Sequence, residues 1–270
     1  MGALLKIQRP ASRQMTELEV IGTEELSTSF RRVTLAGPEL ASFEYLGFDQ
    51  MLRLFFRREG QDDLWMPTVS NDVWLGQFLV RPKARRPWVR NYTVRAFRPD
   101  ALEMDIDFVR HPDGGPAAKW ADEVRPGAPA GIFDEGISYL PPDDVEWQLL
   151  VGDESALPAV LAILECMPQD ARVVVCLEVP HGDDVIDTLT APAGAEVHWV
   201  VRDNEHEIPG TQLLEKVRGL DLPDGKSYTW VAGEQKLATG VRRHLVNDRS
   251  IPKSDISFSG YWRFGKSAPG

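Results

Sequence analysis

Hydrophobic and polar positions alternate most clearly where Leu102, Met104, Ile106 and Phe108 are separated by Glu103, Asp105 and Asp107. A period of two sends successive side chains to opposite faces, so this stretch predicts a half-buried β-strand. The turn-forming Arg98-Pro99-Asp100 lies ahead of it and the segment Trp88 to Phe97 ahead of the turn, which predicts an antiparallel hairpin. Met15 to Gly22, Phe30 to Leu35 and Met51 to Phe56 read as further strands. Short strands with little helix between them predict a small antiparallel barrel up to about residue 140. Within it, Gly60 to Pro87, rich in Trp, Pro and Arg, reads as a long loop or insertion.

Beyond Leu140-Pro141-Pro142-Asp143, which reads as a linker, the rhythm changes. Apolar strands at Gln148 to Val151, Arg172 to Glu178, Glu196 to Val201 and Tyr228 to Ala232 are separated by segments of helical spacing. Leu157, Val160, Leu161 and Leu164 fall at i, i+3, i+4 and i+7, and Leu237, Val241 and Leu245 repeat the pattern near the end. Strands alternating with helices predict a parallel sheet. The expected division is residues 1–142 and 143–270, which 270 residues can fill with two cores.

Composition narrows the chemistry. With 43% hydrophobic and 26% charged residues the chain is built to pack. No apolar run approaches the ~20 residues of a membrane span, and Met1 to Arg13 lacks the apolar centre of a secretory leader, so a cytoplasmic protein without stable membrane insertion is expected. The net charge of −11 argues against a general binder of nucleic acid or of anionic membranes. Cys166, in a predicted helix, and Cys176, in a predicted strand, both sit among apolar neighbours and read as buried free thiols. Two thiols fall short of the about four that an iron–sulfur cluster takes, and the histidines are scattered, so no metal site is expected and any redox centre must be organic.

Two motifs suggest which one. In Arg90-Asn91-Tyr92-Thr93-Val94-Arg95, alternation puts Arg90, Tyr92 and Val94 on one face. An arginine fork can grip phosphate, a ring can pack on a flat heterocycle, and a hydroxyl can reach its edge. A surface strand with solvated arginines and a core tyrosine explains the spacing equally well. In His111-Pro112-Asp113-Gly114-Gly115-Pro116-Ala117-Ala118-Lys119-Trp120, glycines lead through a proline into a short helix whose first N–H groups are open to phosphate. Alone, that is equally an ordinary turn and cap.

Together the two motifs resemble the siderophore-interacting protein family, flavin-dependent ferric-siderophore reductases within the ferredoxin–NADP reductase-like fold. An Arg-x-Tyr-Thr strand there precedes an aspartate-rich strand, a histidine and Gly-Pro-Ala. Val151-Gly152-Asp153-Glu154-Ser155-Ala156-Leu157-Pro158-Ala159, Trp230-Val231-Ala232-Gly233-Glu234 and Ser259-Gly260-Tyr261-Trp262-Arg263-Phe264-Gly265-Lys266 extend the similarity over nearly the whole chain. The resemblance implies a two-domain α+β protein: a six-stranded antiparallel Greek-key barrel for FAD, then an α/β domain with a parallel sheet for NAD(P), its C-terminal tail over the flavin.

By the same resemblance Arg90, Asn91, Tyr92 and Thr93 hold the flavin, with Tyr92 and Thr93 supporting the chemistry and no other catalytic side chain. Asp107, Val109 and His111 lie beside it, and Gly114, Gly115, Pro116 and Ala117 receive its pyrophosphate near Trp120. Gly152, Asp153, Glu154, Ser155 and Ala156 occupy the switch point of the parallel sheet, where open sheets bind ligands. Glu178, followed by Asp183 and Asp184, is placed to hydrogen-bond a ribose 2′-hydroxyl, which favours NADH over NADPH. Gly233 and Glu234 complete the nicotinamide pocket, though Gly233 equally suits a plain turn. Tyr261 and Trp262 supply the aromatic against the flavin, and Arg53, Arg263 and Lys266 are the cations expected to draw in an anionic siderophore. The chain departs from the family at Gly131-Ile132-Phe133-Asp134-Glu135-Gly136, where two acids replace small or basic residues.

The implied activity moves hydride from NADH or NADPH to FAD and single electrons to Fe(III), releasing Fe(II) for iron acquisition, with ferredoxin as a second candidate donor. A general NAD(P)H:flavin or ferredoxin oxidoreductase shares the cofactors and differs in acceptor. A non-catalytic siderophore-binding protein would be colourless.

Overall fold

Short alternating runs build one antiparallel sheet from the first of the two units into which the chain divides, Gln8–Ile137. The computed structural model describes residues 6–110, 114–202, 204 and 207–266. The strands of the first unit are β1 (Met15–Glu25), β2 (Phe30–Ala36) and β3 (Met51–Phe56). After helix α1 (Trp74–Val80) come β4 (Trp88–Thr93), β5 (Ala96–Arg98) and β6 (Glu103–Val109). Helix α2 (Pro116–Glu123) and β7 (Pro129–Gly136) close the unit. The order is β4-β3-β7-β1-β2-β6-β5. Both edge strands, β4 and β5, are separated in sequence by Val94 and Arg95 alone, so the sheet must curl until its edges approach.

Seven strands stand where six were expected, because Trp88 to Phe97 breaks at that point: Val94 N–H turns to Gln50 O and Arg95 N–H to Asp105 O, both at 2.9 Å. The expected hairpin survives as β5 against β6. Met104, Ile106 and Phe108 are fully buried, as the alternation requires. The opposite face of β6 is not solvated: Asp105 and Asp107 are only 4% and 6% exposed. Asp107 accepts both forks of Arg32 at 2.7 and 2.9 Å, and Asp105 those of Arg98 at 2.6 and 2.8 Å. Burying a carboxylate is otherwise costly, and pairing of this kind offsets that cost. The Gly60 to Pro87 stretch is more than a loop, since α1 drives Trp74 and Phe78 into a satellite core with Phe55, Met66 and Phe133.

The unit from Ser138 onward holds β8 (Trp147–Gly152), α3 (Leu157–Cys166), β9 (Arg172–Val179), β10 (Gly194–Val201), α4 (Thr211–Arg218), β11 (Ser227–Glu234), α5 (Gln235–Asn247) and β12 (Ile256–Trp262). Its five strands are all parallel, in the order β10-β9-β8-β11-β12. The fifth, β12, escapes the sequence reading because its run of Ser, Phe, Ser and Gly lacks a continuous apolar core. Cys176 is buried, and burial pushes its thiol up to about 12. Cys166, expected to be buried, is exposed at the last residue of α3. Among the described residues no helix is long and apolar enough to cross a membrane, and no group of three or more His, Cys, Asp or Glu could hold a metal.

Candidate functional site

Arg90 and Tyr92 share one face of β4, two residues apart. The Tyr92 ring packs into the sheet core, 4.3 Å from the Phe108 ring centre, and burial raises its hydroxyl pKa. Thr93 is buried and Asn91 exposed. Arg90 is half-buried, its guanidinium 5.1 Å from the centre of the Trp88 ring and Nη1 donating to Val89 O at 2.8 Å. Among the described residues no carboxylate pairs with it, and partial burial, opposed by Tyr92, lowers its pKa.

A second cation, Arg58, lies outside the sequence motifs and shares the Trp88 ring with Arg90. Its guanidinium lies 3.5 Å from the centre of the same Trp88 ring, and Nε donates to Arg86 O at 2.8 Å. Its Nη2 is buried and has no hydrogen-bond partner among the described residues. Burial, then the charges of Arg90 and Arg86, lowers its pKa. The pairing of Phe56 with Trp88 across β3 and β4 brings Arg58 here, so the signal lay in a strand register rather than in a local motif.

Helix α2 packs against β4 and opens at Gly115, with Pro116 as its first residue and, among the described residues, no side chain capping it. A Cβ on Gly115 would meet nothing within 4 Å, so packing does not demand glycine there and the first N–H groups stay approachable. Gly114 is half-buried ahead of it, and Ala117 lies in the core. Two guanidiniums that pair with no carboxylate among the described residues, one of them on the strand against which α2 packs, offer together with the helix start a donor set that fits the phosphates of a dinucleotide. Other predicted neighbours are committed to the fold: Asp107 to Arg32, Trp120 to contacts with Phe56 and Phe108 at 5.1 and 5.6 Å, and Val109 to pairing with Phe30. His111 lies outside the described residues.

Arg53 is not an open cation as expected, because its Nε donates to Glu135 Oε1 at 2.7 Å. Glu135 also pairs with Arg13 at 3.1 Å, and Arg13 reaches on to Asp72 at 3.0 Å and to the backbone oxygen of Asp134 at 2.8 Å. The acidic departure from the family pattern thus anchors two arginines. Asp134 accepts from Gln50 at 2.6 Å and from Gly136 N–H at 2.8 Å, and burial pushes its carboxyl up to about 6.

In the second unit, parallel strands end on one edge of the sheet, and Gly152–Ser155, Gly233–Glu234 and Trp262 meet there around Asp153. This fully buried carboxylate accepts from Ser155 N–H at 2.9 Å and Oγ at 2.5 Å, from Glu234 N–H at 2.5 Å and from Trp262 Nε1 at 3.1 Å. Burial, then the charge of Glu154, pushes it up to about 7. Gly233 has φ +132°, and a Cβ there would stand 2.6 Å from the Asp153 carboxyl carbon. Glu234 caps α5 by accepting from Lys236 and Leu237 N–H, and its other oxygen takes Phe264 N–H at 3.1 Å. Gly152 is a packing glycine as well, since a Cβ there would lie 2.8 Å from that of Ala156, itself buried at the entry to α3.

Glu178 does not stand where a ribose could reach it. It is fully buried, with Oε1 accepting from Arg202 at 2.6 Å and Gly210 N–H at 2.7 Å, and Oε2 from Leu213 N–H at 3.1 Å. Glu154 is likewise buried and holds Arg202 with both oxygens at 3.0 and 3.1 Å. Asp184, also buried, accepts from His181 N–H at 3.0 Å. The preference for NADH therefore loses its support. Tyr261 lies 6.5 Å from Trp230, ring centre to ring centre, and Arg263 and Lys266 are exposed in a tight turn closed by Lys266 N–H on Arg263 O at 3.1 Å.

Comparison with known proteins covers both units. A family profile described as siderophore-interacting protein matches residues 145–265, and one described as siderophore-interacting FAD-binding domain matches residues 19–138. Ferric vibriobactin reductase ViuB of Vibrio cholerae is 31% identical over 93% of this chain and 90% of its own. The siderophore-interacting protein SipS of Aeromonas hydrophila is 35% identical, with a TM-score of 0.77 over 96% of this chain and 94% of that one. A siderophore utilization protein from T. fusca is 30% identical, with a TM-score of 0.82 over 97% of both chains.

Proposed function

The chain belongs to the siderophore-interacting protein family, and from that premise we propose that it is an FAD-dependent oxidoreductase carrying electrons from NADH or NADPH to a ferric siderophore. The observation that carries the proposal is Arg90, a half-buried guanidinium that pairs with no carboxylate among the described residues, on the strand against which the glycine-led helix α2 packs, both in the segment matched by the FAD-binding profile. When bound, FAD supplies the capacity to accept a hydride and to release electrons singly.

Arg90, with Arg58, would hold the phosphates by charge-assisted hydrogen bonds, and the α2 N–H groups would add neutral donors. Tyr92 offers a ring already fixed against Phe108, so it can support a flat ligand with little loss of side-chain freedom. Asp153, Glu234 and Trp262 hold the strand ends β8, β11 and β12 in register, the edge at which a nicotinamide dinucleotide would bind. In the net reaction, one NAD(P)H yields NAD(P)⁺, a proton and two Fe(II) from two Fe(III). Hard oxygen donors hold Fe(II) less tightly than Fe(III), so reduction releases the metal.

Because Glu135 neutralises Arg53, we assign the substrate to less strongly anionic chelates than an open Arg53 would select. The activity is tested by titrating the protein with FAD and then assaying NAD(P)H-driven Fe(II) release from ferric siderophores of different charge. Absence of FAD binding would exclude the reading.

A further inference from the structure

Helix α1 turns Trp74 and Phe78, one turn apart, into the satellite core. A surface helix anchored in this way ordinarily shows polar residues on its other side. Here Val73 is 65% exposed, Leu75 47%, Leu79 53% and Val80 83%. Gly76 lies among them, and the single polar residue of the helix, Gln77, folds back to hydrogen-bond Thr68 through both its amide atoms. The solvent side of α1 is thus continuously apolar. Isolated exposed aliphatics are common, whereas a contiguous group marks a contact surface.

Charge singles out the same place. Between Val73 and Arg86 the chain carries Arg81, Lys83, Arg85 and Arg86 and no carboxylate, although acids outnumber bases 41 to 30 overall. Among the described residues none of these four pairs with a carboxylate, whereas Arg13, Arg32, Arg53 and Arg98 in the same unit all do. Arg81 Nε donates to Arg85 O at 3.0 Å and Arg86 Nε to Arg81 O at 2.6 Å, which folds the basic stretch against the end of α1 and leaves Lys83 and Arg85 exposed.

From this combination we infer that α1 and residues 81–86 form a reversible docking surface for anionic phospholipid bilayers. Aliphatic side chains enter the boundary between headgroups and acyl chains, and the neighbouring cations meet lipid phosphates. An acidic protein surface would satisfy the cations but would need a matched apolar pocket for the aliphatic face, whereas a bilayer boundary meets both at once. The net charge of −11 rules out indiscriminate adhesion, yet charges more than about 10 Å from the membrane are screened at ~0.1 M salt, so this face alone sets the docked orientation.

The test is co-sedimentation of the full-length protein with phosphatidylcholine vesicles, with and without about one-third phosphatidylglycerol, at low and high salt. Binding is expected only to the anionic vesicles and only at low salt. Lys83→Glu with Arg85→Glu should lower partitioning more than tenfold, at about fivefold for each lost cation, and Leu75→Ser with Leu79→Ser should lower it at least tenfold. Thermal melting of both variants checks that they fold, and since all four positions are exposed, melting close to the parent is expected. Binding to neutral vesicles alone, no binding to anionic ones, or partitioning that survives both double substitutions in folded protein would overturn the inference. So would a dimer that Leu79→Ser dissolves, because the apolar face would then belong to a second copy.

Discussion

A half-buried guanidinium that lacks a carboxylate is poised for an incoming anion, because its desolvation is already partly incurred. Arg90→Ala is expected to weaken FAD binding about 10- to 100-fold, corresponding to ~1.5–3 kcal/mol for charge-assisted hydrogen bonds, as read by flavin fluorescence on titration. Arg58→Ala should give a loss of the same sign. Glu135→Gln should release Arg53 and lower KM severalfold for an anionic ferric chelate while leaving that for a neutral one unchanged, as steady-state kinetics would show. Asp153 makes a prediction in pH. Its carboxyl stands at about 7 in the folded state against an ordinary 3.8, so the native protein holds that proton more tightly than the unfolded chain does. Its contribution is complete below about pH 4 and is lost as pH rises through about 7. Asp153→Asn should therefore gain stability relative to the parent between about pH 5 and 8 in urea unfolding curves, and a constant difference would contradict this. At this scale the sequence is legible where the pattern is local, as in Arg90-Asn91-Tyr92-Thr93, whose alternation puts Arg90 and Tyr92 on one face of a strand. It is illegible where the partner is remote: nothing near Glu178 announces that Arg202 and the backbone of α4 will claim both its oxygens.

Elements were legible in proportion to their periodicity. Strand β6 follows from its alternation, and the helices α3 and α5 from apolar residues one turn apart, because those patterns are the direct imprint of a buried face. The burial of Asp105 and Asp107 was not legible, since alternation reports polarity and cannot see Arg98 and Arg32 arriving from elsewhere. Helix α1 was hidden by its seven-residue length, its internal Gly76 and the following Pro82, and it exists because Trp74 and Phe78 find a core to fill. The junction of β11 with α5 gives a test of the packing argument. Gly233→Ala would place a side chain in the left-handed region and against Asp153, with an expected cost of ~1–3 kcal/mol. That should lower Tm by several degrees, and an unchanged Tm would mean that Asp153 can move aside.

Across the whole chain, the change from period-two strands to alternating strands and helices announces two units of different architecture, and the two family profiles divide along the same lines. What the pattern cannot convey is which charges stay open: Arg53 is paired with Glu135, whereas among the described residues Arg58 pairs with no carboxylate. The proposed activity depends on electrons passing from a nicotinamide dinucleotide to ferric iron by way of this protein. The direct measurement is an anaerobic stopped-flow experiment on the FAD-loaded protein, mixed first with NADH or NADPH and then with a ferric siderophore and an Fe(II)-specific chromogenic chelator. The expected result is bleaching of the flavin absorbance by at least one of the nucleotides, followed by recovery of the yellow colour as Fe(II) appears at about two per nucleotide oxidised. Flavin that neither nucleotide bleaches, or that stays bleached in the presence of every ferric siderophore tried, would contradict it.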